Sequence, residues 1–198
     1  MKKGLTVETK RMTLRPASEE RDKEEYIARL KSGSDCYYLY GEQYSDALKP
    51  TICPWTEEEI TYSLFLRGSD KLIGSVSFFL VDNQLSKWYL SFWIFEEYRQ
   101  LGYATEATLA LIREYFAGVL PLDGTDRLAS LIMHDNPAAA KLLQGFGFIN
   151  PYSEILLNEE GEIRMALDEY VLGASHFRAQ FPEAVKKRSE KTMRPSSV

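Results

Sequence analysis

Apolar and polar positions alternate through much of the first half of the chain and recur at helical spacing in parts of the second. Leu5–Arg15 reads as a first strand, with apolar Leu5, Val7, Met12 and Leu14 on either side of a break at Lys10, and Pro16 ends it. Ser18 caps a helix running to about Leu30; Glu19 and Glu20 sit in its first turn, where acidic side chains suit the helix dipole. Ser32–Pro54 sets Cys36, Tyr37, Tyr38, Leu39, Tyr40 and Tyr44 among polar residues and reads as a second helix followed by a loop. Thr56–Glu59 opens a short helix or turn. Thr61–Arg67 and Leu72–Val81 form a hairpin about the turn Gly68-Ser69-Asp70, and Lys87–Phe95 follows as a third, aromatic-rich strand after Asp82-Asn83-Gln84.

The period then changes. Ala104, Ala107, Thr108, Leu111, Ile112, Tyr115 and Phe116 recur at helical spacing, and Gly118 and Pro121 stop that helix. Leu128–Met133 is a buried strand. Asn136-Pro137 opens another helix, with Asn at the cap and Pro at the first helical position, a favoured pairing. Ala139, Leu142, Leu143 and Phe146 form its inner face, and Gly145 or Gly147 ends it. Phe148-Ile149 begins a strand whose hairpin partner is Arg164–Leu172. The order β-α-(α)-β-β-β-α-β-α-β-β predicts an α/β protein, a mixed sheet with helices on both faces. That domain spans residues 1–172. From Gly173 onward the chain is basic and weakly patterned, and 173–198 reads as a C-terminal helix or tail.

Composition narrows the function classes. With 198 residues, 44% of them apolar, the chain fits one compact domain. No stretch approaches the roughly 18–20 apolar residues that span a bilayer. Met1–Gly4 is followed at once by polar residues, without the apolar core of a signal peptide, so a cytoplasmic protein and no membrane partner are expected. Two cysteines, Cys36 and Cys53, and two histidines, His134 and His176, do not suggest a metal site. A net charge of −5 argues against a general nucleic-acid binder, whose affinity comes from neutralising phosphates.

The chemistry concentrates at Glu96–Glu106, where an aromatic strand ends and a long helix begins through Arg99-Gln100-Leu101-Gly102-Tyr103-Ala104. A helix N-terminus offers free N–H groups and about half a positive charge, and phosphates bind well there. Gly102 lacks a Cβ, so a pyrophosphate could approach its backbone; Ala104 adds little bulk; Arg99 can add charge-assisted hydrogen bonds. On spacing alone, an ordinary turn glycine before a helix explains Gly102 as well.

This segment resembles the pyrophosphate-binding motif of the GNAT superfamily of acetyltransferases, Arg/Gln-x-x-Gly-x-Gly/Ala. The wider string Glu97–Ala107 is similar to the branch holding the ribosomal-protein N-terminal acetyltransferases and related small-amine enzymes. Asn136–Phe148 resembles the family's Asn helix followed by Gly-Phe, and Arg11–Pro16 its first strand, so the resemblance covers roughly residues 5–172. It implies a GNAT-like acyl-CoA N-acyltransferase fold, in which the aromatic strand and the strand before the Asn helix splay apart. Acetyl-CoA would be the co-substrate, with no metal. Its pantetheine arm would lie against Trp93, Ile94 and Phe95 and be bonded by Asn136; Gln100 to Thr105, with Arg99, would hold the pyrophosphate through Gln100, Leu101, Gly102, Tyr103, Ala104 and Thr105. The acyl group would point toward Trp88, Tyr89, Ser91 and Trp93.

What the resemblance implies about function is acetyl transfer to a primary amine, a small molecule or a peptide N-terminus, by direct attack; relatives are often dimers, which allows a homodimer. The sequence departs from the pattern where acid and base are usual. A strand glutamate is replaced by Tyr89, and a serine in the Asn helix by Ala139. Tyr89 and Ser91 are the first catalytic candidates, with Glu96, His134 and Tyr152 behind them, and each also has a plain structural reading. A non-catalytic acyl-CoA-binding sensor or partner module is the alternative.

Overall fold

The computed structural model describes residues 5–18, 21–22, 24–26, 28, 59–80, 88–122, 126–157 and 163–182. The segment Ser32–Pro54, with both cysteines and the tyrosine cluster, lies outside them, as does the tail from residue 183.

The first predicted strand is two. β1 (Val7–Glu8) folds back on β2 (Met12–Pro16), pairing Val7 with Leu14. The reason is a turn at the Lys10 break: the Thr9 amide and hydroxyl both donate to the Met12 carbonyl, at 2.9 and 3.1 Å. Residues 21–22, 24–26 and 28 are helical, as expected. Their start is fixed by Asp22 as well as Ser18: the Ser18 amide donates to Asp22 Oδ2 at 3.0 Å, and the Asp22 amide to the Ser18 carbonyl.

β3 (Glu59–Leu66), β4 (Leu72–Leu80) and β5 (Trp88–Ile94) form an antiparallel meander. Then come α1 (Tyr103–Phe116), β6 (Arg127–Met133), α2 (Pro137–Gly145), β7 (Ile149–Leu157), β8 (Ile163–Gly173) and α3 (Ala174–Gln180). The sheet runs β1-β2-β3-β4-β5-β6-β8-β7, antiparallel throughout except for β5 against β6.

The alternation of β3–β5 sorts side chains onto two faces. Tyr62, Leu64, Val76, Phe78, Leu90 and Ile94 join Ala107, Leu111, Ile112 and Tyr115 of α1, Leu143 of α2 and Phe146 just after it in the main core. Phe177 of α3 enters the same core, its ring against Phe116. The other face carries a smaller cluster of Tyr26, Phe65, Leu72, Trp93 and Phe95. Beside it lies a buried polar row. Thr61 and Ser77 share a 2.7 Å hydrogen bond, Ser63 donates to Asp22 at 2.6 Å, and Tyr26 donates to the Gly74 carbonyl at 3.2 Å. Burial pushes the Tyr26 hydroxyl well above its ordinary pKa. Among the described residues, no helix is long and apolar enough to cross a membrane.

Candidate active site

β5 and β6 touch only at their beginnings. Trp88 pairs with Leu128 and Tyr89 with Ala129; beyond that the two strands diverge. Each is held by its other neighbour: β5 follows β4 up to Ile94 opposite Gly74, and β6 follows β8 from Arg127 to Met133. Ser130 Oγ, just past the last pair, donates to the Leu90 carbonyl at 2.8 Å and closes the apex of the V.

The V opens into a cleft of about 590 Å³ between β5, the start of α1 and α2. Of the residues singled out in the sequence, it brings together Trp93, Ile94, Arg99, Gln100, Gly102, Tyr103, Ala104, Thr105 and Asn136. Trp88, Tyr89, Ser91, Phe95 and Leu101 are not on its lining. Phe95 is fully buried in the second cluster, its ring packed edge-on against Trp93 and Tyr26. The Leu101 side chain is more than half exposed. Ala139, at the position where the resemblance expects a serine, also lines it, and the cleft further gains Lys141 and Leu142 from α2, Phe146 just past its end and Tyr98 from the segment before α1, residues that the motifs do not mark.

The loop into α1 is tightly curled. Gln100 has φ 59° and Gly102 φ 79°, two left-handed residues around Leu101. For Gln100 such backbone costs roughly 1–2 kcal/mol. In return the first helical residues Tyr103, Ala104 and Thr105, whose N–H groups have no partner within the helix, line the cleft. Arg99 Nε donates to the Ile94 carbonyl at 2.9 Å, tying the loop to the end of β5. Asn136 caps α2 by accepting from the Ala139 amide at 3.1 Å, with Pro137 following as the sequence predicted.

Arg11 braces this loop from the far edge of the sheet. Its Nη1 donates to the Leu101 carbonyl at 2.8 Å, its Nε lies 2.6 Å from Glu106 Oε2, and its guanidinium stacks 4.4 Å from the Tyr103 ring centre. The Arg11 amide also donates to Glu106 Oε1 at 2.8 Å. Burial pushes the Glu106 carboxyl up, but hydrogen bonds from Arg11 and Thr9 and the Arg11 charge outweigh it and hold it below the usual carboxylate range. A depressed pKa stabilises the fold fully above the unfolded value, about 4.3, and that share is lost as pH falls through the lower folded value. Denaturant unfolding between pH 7 and 3 is therefore expected to show a shallower acid loss of stability in Glu106→Gln than in wild type. Equal slopes would refute the assignment.

Tyr89, Ser91 and Trp93 face away from the main core, on the side of the polar row. Trp88 does not join them; alternation packs it against the main core instead. The Tyr89 ring stacks on Phe79, and its hydroxyl donates to Glu169 Oε1 at 2.7 Å. Glu169 belongs to no motif; its sequence signal is an acidic pair, Asp168-Glu169, inside the otherwise apolar end of the strand Ile163–Gly173. Ser91 is half-buried opposite Ser77. Trp93 Nε1 is buried and has no hydrogen-bond partner among the described residues. Glu96 is exposed in the turn before the loop, and Tyr152 is exposed on β7. His134 is two-thirds exposed, with Nδ1 3.1 Å from Asp168. The Asp168 carboxyl is held below the ordinary range chiefly by the Ser153 hydroxyl, against burial, with His134 adding to the effect.

This architecture has known counterparts. The crystal structure of a GNAT-family acetyltransferase from Bacillus anthracis superposes with a TM-score of 0.65 at 14% identity, covering 86% of this chain and 99% of that one. RimL, a ribosomal L7/L12 alpha-N-protein acetyltransferase in complex with coenzyme A, gives 0.64 at 15% identity over 85% and 98%. Mutant forms of the spermidine/spermine N-acetyltransferase SpeG from Vibrio cholerae give 0.60 at 17% identity over 86% and 98%. No curated protein matches the chain significantly in sequence. The family described as acetyltransferase (GNAT) domain matches residues 11–149, most of the sheet with the loop and both cleft helices. With that match spanning more than half of its length, the chain belongs to the GNAT acetyltransferases.

Proposed function

We propose that the chain is an N-acetyltransferase that moves the acetyl group of acetyl-CoA to a primary amine, either a small molecule or a peptide N-terminus. The observation that carries this reading is the cleft in which the splayed ends of β5 and β6 meet the curled loop and the N-terminus of α1. The cleft suits the co-substrate: amides at Tyr103, Ala104 and Thr105 for phosphate oxygens, Lys141 for charge at the rim, and the β5 edge facing the V at Phe92 and Ile94 for the amide arm, with the Ile94 carbonyl already accepting from Arg99. Asn136 already spends its side-chain oxygen on the Ala139 amide, so its nitrogen is the group left to meet the pantetheine.

Acetyl-CoA supplies the activated thioester. The protein's part is to orient it along the V, so that its reactive end lies by the apex at Tyr89 and Ala129, and to present an amine there. An amine with a pKa near about 10 arrives mostly protonated, so a proton has to be removed. RimL and SpeG are both named as N-acetyltransferases, which supports an amine as acceptor.

A specific observation favours a second reading, acyl-CoA binding without turnover: Ala139 lines the cleft where the resemblance expects a serine. Calorimetric titration with acetyl-CoA, then thiol release against amines and N-terminal peptides, tests both. Binding in the micromolar range with amine-dependent release supports the transferase; binding without release for any acceptor supports the second reading. Absence of binding removes both.

A further inference from the structure

Glu169 is 2% exposed, in a strand whose next residues are Tyr170, Val171 and Leu172. A buried carboxylate weakens a fold unless it is bonded, and such groups concentrate where their chemistry is used. This one receives the Tyr89 hydroxyl. Tyr89 stands on β5 in the last pair before the V opens, and Glu169 on β8, with β6 between them. The Tyr89 side chain therefore crosses the base of the V on the face opposite the cofactor loop. The carboxylate that the sequence lacks on β5 is brought to the same place from two strands away.

We infer that Tyr89 and Glu169 form a proton-accepting pair for the amine acceptor, Tyr89 as the group in contact with the nitrogen and Glu169 as the positioning carboxylate behind it. The inference rests on the amine-transfer reading above. The amine nitrogen, neutral once its ammonium proton has gone to solvent, forms a bond to the acetyl carbonyl carbon, and the carbon–sulfur bond breaks with its electron pair on sulfur. Tyr89 Oη takes the surplus proton from nitrogen while its own proton passes to Glu169 Oε1. That proton then returns through Tyr89 to the departing sulfur, directly or through water, so amine and thioester become amide and thiol with no net change in the pair. Among the described residues, the other titratable groups on this sheet face include Tyr152, opposite Glu169 on β7, Arg127 on β6 two residues before Ala129, Arg15 on β2, Glu8 on β1, and Asp22 and Tyr26 with Arg21 beside them over β3 and β4. His134 and Asp168 belong to the opposite face.

The test has two arms. In ring-carbon-labelled tyrosine NMR, the Tyr89 signal, identified by its loss in Tyr89→Phe, is expected to shift as Glu169 takes up a proton, and this step is absent from Glu169→Gln. In thiol-release assays with acetyl-CoA and spermidine or a peptide with a free α-amine, Glu169→Gln is expected to lower kcat about 100-fold. The KM for acetyl-CoA stays within twofold, and the acid limb of the kcat/KM pH profile disappears. Tyr89→Phe loses a similar factor, and the double variant loses no more than either single one. An unshifted Tyr89 signal, or a Glu169→Gln enzyme with wild-type kcat and pH profile, overturns the pair while leaving the transferase reading intact. A wild type that releases no thiol with any amine overturns the transferase reading and the pair with it.

Discussion

Replacing Gly102 with valine is expected to weaken acetyl-CoA binding at least about 100-fold, or about 2.7 kcal/mol, in a protein that still folds. Two effects act together. At φ 79° the backbone is left-handed, which costs a β-branched residue roughly 1–2 kcal/mol and pulls the loop away from its curl. A Cβ built there also lies 3.3 Å from Arg11 Nη2, tighter than most real contacts. The branched side chain would push back the guanidinium that holds the Leu101 carbonyl, and the amides of Tyr103, Ala104 and Thr105 would lose the frame that aims them into the cleft. Far-ultraviolet circular dichroism and a melting curve check that the fold survives, and calorimetry reads the affinity. A folded variant with unchanged affinity would show that the pyrophosphate is held elsewhere.

The same loop shows what the sequence could and could not disclose. The switch from an aromatic strand to helical spacing, the Gly102 turn and the Asn136-Pro137 cap are local signals, and each predicted element lies within a residue or two of the observed one. The brace on that loop was illegible. Arg11 and Glu106 are 95 residues apart, and nothing in either neighbourhood announces the pair. Tyr89 and Glu169 are 80 apart, joined only because β6 slots between β5 and β8. The divergence of β5 from β6 is likewise a matter of register, since each strand's later residues are claimed by a different neighbour. Sequence periodicity tells which way a side chain faces along its own strand. It does not tell which strand lies alongside, and the candidate chemistry depends on that.

Gly74 is expected to be the least replaceable position in the sheet, and its change to alanine to cost about 3 kcal/mol of stability. Between Phe65 opposite Leu72 and Leu64 opposite Gly74, β4 carries one extra residue, Ile73, a bulge that bends the strand. There a Cβ on Gly74 would lie 2.1 Å from the Trp93 carbonyl oxygen and 2.9 Å from the Ile94 Cα. Both are backbone atoms, so no side-chain rotation relieves the overlap, and β4 and β5 have to part. The Gly74 carbonyl also accepts the buried Tyr26 hydroxyl, and the Phe95 amide donates to the Ile73 carbonyl at 3.0 Å, so parting the strands strains both bonds. For a chain of this size, the loss corresponds to a fall in Tm of roughly 6–12 °C. The effect should reach the cleft, because Trp93 and Ile94 form its β5 wall: acetyl-CoA affinity is expected to drop in Gly74→Ala even below the melting range. A variant melting within 2 °C of wild type, with unaltered affinity, would mean that β4 and β5 are further apart than the close contact at Gly74 requires. The wall of the cleft would then owe its shape to something other than the bulge.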